Sequence, residues 1–112
     1  MGIRSDVGIA IKTHVLNDMS DSTISFLENE SGETYTTSAG RLFIIRNVKW
    51  YVNHDQEINS LYNELYKFDD SDYFIIDACH DFPENTDGDA GNWYDNPFGL
   101  CKETAVNLRY NG

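Results

Sequence analysis

The stretch DQEINSLYNELYKFDDSDYFIIDAC, residues 55–79, holds both of the periods from which the fold class is read. Asp55 is a good N-cap residue type, and after it Ile58, Leu61, Tyr62, Leu65 and Tyr66 fall on one helical stripe. The opposite face carries Glu57, Asn63 and Glu64, so the helix that opens at His54-Asp55 is amphipathic and acidic outward. It stops at Asp69-Asp70-Ser71-Asp72. From Tyr73 to Cys79 the chain is apolar enough to be a central strand, covered on both faces.

Working back from this helix and strand, Leu42 to Val52 reads as the strongest strand of the chain. Leu42-Phe43-Ile44-Ile45 is apolar on both faces, Trp50 is expected to anchor the core, and Tyr51 to present its hydroxyl near the surface. Ala39-Gly40 turns into it from a short strand, Glu33 to Ser38. Between His14 and Glu28 the apolar residues take helical spacing, and Ser20-Asp21-Ser22-Thr23 supplies N-cap types for a second helical start. Arg4 to Thr13 alternates, with Val7, Ile9 and Ile11 on one face and Gly8, Ala10 and Lys12 on the other. The small residues of that second face predict a layer packed closely against it. Downstream, residues 80–97 are rich in Asp, Asn, Gly and Pro and read as a long loop, and Phe98 to Tyr110, through Leu100, Ala105, Val106 and Leu108, is expected to return as a last strand. The order strand, helix, strand pair, helix, strand, strand predicts a single α+β domain over residues 1–112, with two helices on one face of a largely antiparallel sheet. A ferredoxin-like arrangement is the nearest named plan.

The charge is as unevenly distributed as the hydrophobicity. Residues 55–95 hold Asp55, Glu57, Glu64, Asp69, Asp70, Asp72, Asp77, Asp81, Glu84, Asp87, Asp89 and Asp95 against one base, Lys67, while the segments on either side nearly cancel. The whole net charge of −11 is therefore local to that stretch. Such a field repels nucleic acid and anionic membrane and attracts basic protein surfaces, with an on-rate that falls as salt rises. With 40% apolar and 13% aromatic residues the chain is not of disordered composition, and it is long enough for one ordinary core. No apolar run approaches the roughly 20 residues of a spanning helix, and the N-terminus lacks a signal-peptide core, so a soluble, intracellular protein is expected. Met1-Gly2 invites myristoylation, but Asp6 stands where that motif wants Ser or Thr. Cys79 and Cys101 are too few for a disulfide framework and are expected as buried free thiols.

The opening Met1-Gly2-Ile3-Arg4-Ser5-Asp6-Val7 and the central Val48-Lys49-Trp50-Tyr51 together resemble a group of small uncharacterised phage proteins. These begin with a Met-Gly-aromatic-Arg-Ser-(Asp/Glu)-Val segment and carry a Val-Lys-Trp-Tyr segment followed by a helix. The resemblance covers residues 1–65. Ile3 stands in place of the aromatic residue, and Asp77-Ala78-Cys79-His80-Asp81 stands where such proteins continue with a Gly-Glu-Asp type strand end. What the resemblance implies is an origin in phage; it carries over no catalytic residue.

Motifs that would bring chemistry are incomplete. Asn85-Thr86-Asp87-Gly88-Asp89 begins like a calcium loop, but Ala90 occupies the position of the turn glycine and Asn96 that of the bidentate Glu, so solvated loop acids are the preferred reading. Cys79, His80 and Asp81 are consecutive on a strand, hence on alternating faces, and cannot serve as nucleophile, base and orienter. His14 and His54 lack partners at ligand spacing, and no Gly-rich loop joins a strand to a helix. The expectation is a protein without catalysis, metal or cofactor. Its leading function is then a phage-encoded inhibitor acting in the cytoplasm of the infected bacterium. It would bind a basic host protein or ribonucleoprotein complex of a defence system, anti-CRISPR or anti-restriction in type, by standing in for nucleic-acid phosphates. The expected contact residues are Asp69, Asp70, Asp72, Asp81, Glu84, Asp87, Asp89, Trp93, Tyr94 and Asp95. The alternative is a structural or assembly module of a phage complex whose acidity serves solubility alone. The aromatic residues of the loop region, Phe82, Trp93, Tyr94 and Phe98, separate the two: exposed rings among acids favour a specific interface, buried rings the assembly module.

Overall fold

The computed structural model of the protein describes residues 3–52, 55–82, 86–104 and 107–111. Met1-Gly2, His54, Glu84, Asn85, Ala105 and Val106, on which expectations above fall in part, lie outside the described residues. In chain order the elements are β1 (Ser5–Lys12), α1 (Thr13–Asp18), α2 (Asp21–Glu30), β2 (Glu33–Thr36), β3 (Gly40–Val48), α3 (Gln56–Leu65), a 3-10 turn (Asp70–Asp72), β4 (Tyr73–Cys79), β5 (Ala90–Gly91), β6 (Cys101–Thr104) and β7 (Asn107–Arg109). The fold is α+β. Five strands form one antiparallel sheet in the order β2-β3-β1-β4-β5, and β6 and β7 pair separately. Through β4 the connectivity has the β-α-β-β-α-β order on which the ferredoxin-like expectation rested, with β3 lying between β1 and β2. The second helix of the first crossover, β5 and the separate hairpin are additions to that plan.

β1 is the middle of the molecule because both of its faces are covered. Val7, Ile9 and Ile11 point into a core built with Val15, Leu27, Ile58, Leu61 and Leu65 from the three helices, which all pack on that face. Gly8 and Ala10 point the other way, into a second core of Leu42, Ile44, Ile76, Trp93, Phe98 and Leu100. The layer predicted there is the C-terminal segment. A Cβ on Gly8 would lie 2.6 Å from a methyl of Leu100, so only glycine lets this layer close onto the sheet.

Capping explains where the helices begin. The Asp55 carboxylate accepts from the backbone N–H groups of Glu57 at 2.9 Å and Ile58 at 3.1 Å, and α3 starts at the next residue. Ser20 caps α2 by accepting from the Thr23 N–H at 3.4 Å, which divides the expected helical region into two helices. The stripe of α3 buries Ile58, Leu61, Tyr62 and Leu65, but Tyr66 is the C-cap residue and is 60% exposed, because the helix ends before that position can turn inward.

Three expectations about the strands need correction. β3 ends at Val48 rather than running to Val52: Asn47 has φ 53°, a left-handed conformation that breaks the ladder, and its N–H is taken by the Asp6 carboxylate at 2.9 Å. Trp50 is still buried, reaching the core from beyond the strand, and Tyr51 accepts from the Ile3 N–H at 2.8 Å. The segment from Phe98 to Tyr110 does not return to the main sheet but folds as the β6–β7 hairpin across its second face. The region 80–97 is not loop throughout, since it turns at Asp87-Gly88 and adds β5 to the edge of β4. Both cysteines are free, Cys79 buried as expected and Cys101 exposed, on a strand that has solvent on one side.

Candidate protein-binding surface

The acid-rich stretch is divided by the fold into an inward and an outward set. Glu64, on α3, accepts from the Ser20 N–H at 2.7 Å, from the Ser20 hydroxyl at 3.0 Å and from the Thr23 hydroxyl, tying α3 to the start of α2. Burial opposes its ionisation, but these bonds win and hold it below the usual carboxylate range. Asp72 is ion-paired with Lys12 at 3.3 Å and lies 3.2 Å from the His14 ring, clamping the approach to β4 onto the end of β1. Asp89 accepts from the Asp77 N–H at 2.8 Å and meets Lys102 at 3.5 Å.

Asp77 is the most inward of all, 3% exposed, in β4 opposite Val7. One of its carboxylate oxygens is buried with no hydrogen-bond partner. Burial pushes its pKa up; the Ser5 hydroxyl works against this, and the nearby Asp89 and Asp87 charges add to it. The loop crosses directly above, because a Cβ on Gly88 would fall 2.5 Å from the other Asp77 oxygen. The Gly88 carbonyl accepts from the Tyr62 hydroxyl, which in turn accepts from the Trp50 ring N–H at 2.9 Å. Burial raises the Tyr62 pKa far above its ordinary value, so this hydroxyl stays a donor.

The outward set gathers at the corner where the end of α3, the 3-10 turn and β5 meet. Asp69 and Asp70 are exposed, and the Asp70 carbonyl accepts from the Asn92 N–H at 2.7 Å. That bond joins the 3-10 turn to the segment carrying Tyr94 and Asp95, which follow Asn92 in the chain and are also exposed. Tyr94 is 73% exposed, yet its ring is held edge-on by Phe74 with 5.1 Å between centroids. Tyr66, exposed at the end of α3 on the helix side of the sheet, has its ring edge-on to Tyr62 with 6.1 Å between centroids. Tyr73 donates to Asp70 at 3.2 Å, and burial with this bond pushes the tyrosine up to about 12.

The residues expected at the contact surface therefore fall into separate groups. Asp69, Asp70, Tyr94 and Asp95 are exposed in the two segments that the Asn92–Asp70 backbone bond joins; Asp81 and Asp87 are exposed elsewhere along the loop region; Glu84 is outside the described residues. Asp72 and Asp89 are engaged in the ion pairs just given. Trp93 is 5% exposed and belongs to the second core, where Lys12 sits 5.5 Å from its ring, so it is not offered to a partner. Of the four aromatic rings, Phe82 and Tyr94 are exposed and Trp93 and Phe98 buried. Tyr66 belongs to the exposed corner and was read as core, although the run of acids that ends its helix marked it as the stripe's last, unsupported turn.

The sequence also gave no sign of a polar network at the far end of the sheet. There Arg46 reaches Asp6 and Glu33, each at 3.4 Å, and the Tyr110 hydroxyl at 2.5 Å, while Tyr35 and Tyr110 donate to Glu33 at 2.7 and 2.8 Å. Bonds from Tyr35, Tyr110 and Arg46 hold Glu33 below the usual range against its burial. The network ties the chain's last residues to β2 and β3. Among the described residues no group of three or more His, Cys, Asp or Glu side chains is placed to hold a metal ion, and no helix is long and apolar enough to cross a membrane. Compared with protein-family models, curated proteins and solved structures, the chain matches none.

Proposed function

We propose that the protein is a non-catalytic, acidic binding module whose contact surface is the corner of Tyr66, Asp69, Asp70, Tyr94 and Asp95. The observation that carries this reading is the exposure of Asp69, Asp70, Tyr94 and Asp95 in the two segments joined by the Asn92–Asp70 backbone bond, with Tyr66 exposed at the nearby end of α3. Tyrosine supplies contact area at little cost in rotamer entropy, and rings of this kind often dominate binding energy when ringed by polar groups. Carboxylates around them select a partner rich in Arg and Lys and speed its approach. The partner of best fit is a basic, nucleic-acid-binding surface of a host defence complex, anti-CRISPR or anti-restriction in type, met in the cytoplasm of an infected bacterium. The acids then occupy positions otherwise taken by phosphates. The phage origin rests on the resemblance of the first 65 residues.

The test is an interference assay in cells proficient for a defence system, with the parent chain and an Asp69→Asn, Asp70→Asn, Asp95→Asn triple variant. Protection of the invading DNA by the parent, lost in the folded triple variant, supports the reading. Absence of protection across the defence systems tried, or equal protection by the variant, removes it. The second reading, a structural or assembly module of a phage complex, draws on the inward acids: Glu64, Asp72 and Asp89 all serve the fold, and Trp93 and Phe98 are core residues.

A further inference from the structure

Toward the β2 edge of the sheet, away from β5, α1, α2 and the turn between β2 and β3 border an open hollow of about 380 Å³, within the size range of small-molecule sites. Its charged wall is Arg41, on β3, with two strands, β1 and β4, between it and the β5 edge. The guanidinium stacks on Phe43 with 4.7 Å to the ring centroid, which fixes its plane. It is poorly satisfied. One terminal nitrogen lies 3.5 Å from the half-exposed Glu28 carboxylate, and Nε is buried with no acceptor. Around it the cavity presents Thr36, Ser38 and Asn17, whose side chains form no hydrogen bond within the described residues, and Leu16 and Ile24 complete the wall with apolar surface.

We infer that this cavity binds a small organic oxyanion, a carboxylate or phosphate carried on a short carbon body. The guanidinium is an electropositive, preoriented group whose ion pair is the loose one to Glu28, and an oxyanion is held by its terminal nitrogens, since Nε is too buried to be reached. The hydroxyls of Thr36 and Ser38 and the Asn17 amide are free to donate to the remaining oxygens, and Leu16 and Ile24 match the carbon body. The site is separated from the β5 edge of the sheet by β1 and β4, and Glu28 is the acid that meets Arg41 directly. Glu28 is its built-in competitor, an internal carboxylate that holds Arg41 weakly at the distance of a loose ion pair.

The experiment is an amide-shift titration of the full chain by NMR, at low salt, with inorganic phosphate in one arm and propionate in the other. Saturable shifts concentrated at residues 13–17 and 36–41 are expected in at least one arm; the arm that saturates at lower concentration names the headgroup. Arg41→Gln, with the rest of its spectrum retained, should weaken binding about tenfold or more, as for loss of a charged hydrogen bond. Glu28→Gln should instead tighten it, a direction that a merely structural ion pair does not predict. Linear, unsaturating shifts in both arms, shifts spread over Lys and Arg residues elsewhere, or unchanged affinity in Arg41→Gln overturn the inference. If Arg41→Gln does not fold, unchanged or weaker binding in Glu28→Gln overturns it alone. The corner of Asp69 and Tyr94 takes no part, so this result and the interference assay are independent.

Discussion

Asp70, on the turn before β4, and Asp77, within β4, belong to one acid-rich stretch, and their surroundings are opposite. Asp70 projects at a turn, its carboxylate touched by the Tyr73 hydroxyl and otherwise open to water and to its neighbours Asp69 and Asp95. Asp77 is sealed by Gly88 on one side and the helical core on the other, with an oxygen that has no partner. Net charge counts the two alike. What separates them is where the strand begins: β4 is covered on both faces, so an acid within it is buried, whereas an acid on the turn before it is free to face outward. The lesson is that only the acids outside covered strands and away from Lys12, Lys102 and Ser20 remain available to a partner.

The largest effect expected on the inward side is that of Leu61, fully buried beneath the same helix that carries Glu64. Leu61→Ala should cost about 2–5 kcal/mol in denaturant melts. Tyr66→Ala, one turn further along and 60% exposed, should cost under about 1 kcal/mol. Equal losses at the two positions would erase the boundary between core and corner.

Asp77→Asn comes next, and its sign depends on pH. Because the folded state holds the Asp77 carboxyl above its ordinary 3.8, the native chain keeps a proton that the unfolded chain gives up. The stability this group contributes is thus complete below about pH 3.8 and is lost as pH rises through the raised folded value. Asn at this position escapes that loss. The variant should match the parent in strong acid and exceed it at neutral pH, by about 1–3 kcal/mol if the cost is that of a buried acceptor left unpaired. Glu64 and Glu33, held low, act in the opposite sense in both proteins and cancel in the difference. A variant less stable than the parent at pH 7 would mean that the carboxylate has a partner in solution.

Smaller still is the response to salt. A chain of net charge −11 with its charge in one stretch repels itself, so the melting midpoint should rise by a few degrees as monovalent salt is added. Ion pairs such as Lys12–Asp72 and Lys102–Asp89 weaken under the same screening and set a limit to the gain. A midpoint that falls with salt would place more of the acids with Asp72 and Asp89 than with Asp70.

How far the sequence reveals this division differs by element. The helix after Asp55 and the strand from Tyr73 to Cys79 were legible because the cap residue and the apolar spacing act locally, and the Gly8/Ala10 face correctly called for a close-packed layer. The identity of that layer was not legible. Leu100, Leu108 and Tyr110 alternate as any strand would, and whether they add to a sheet edge or lie across its face is decided by contacts far apart in sequence. The end of β3 at Asn47 depends likewise on Asp6, a distant residue. Of the expected contact residues Asp69, Asp70 and Tyr94 are exposed, whereas the burial of Trp93 and the exposure of Tyr66 followed from where the C-terminal layer lands and where α3 ends.

The smallest effects should come from single acids of the corner, and they sharpen the comparison most. Asp69→Asn, Asp70→Asn or Asp95→Asn alone removes one exposed charge, and exposed charge pairs contribute about 0–1 kcal/mol each. Stability should hardly move, and a binding partner should lose only a few-fold in affinity, mostly through a slower on-rate. The three changes together should cost much more than any one if the corner acts as a summed field, and the loss should shrink as salt rises, since screening has already removed part of what the variant lacks. A single change that abolishes binding in both low and high salt would point instead to one carboxylate making a directed, desolvated contact, as an arginine fork makes with one acid. Asp70 is the residue to expect in that role, because the Tyr73 hydroxyl holds its carboxylate in place at 3.2 Å.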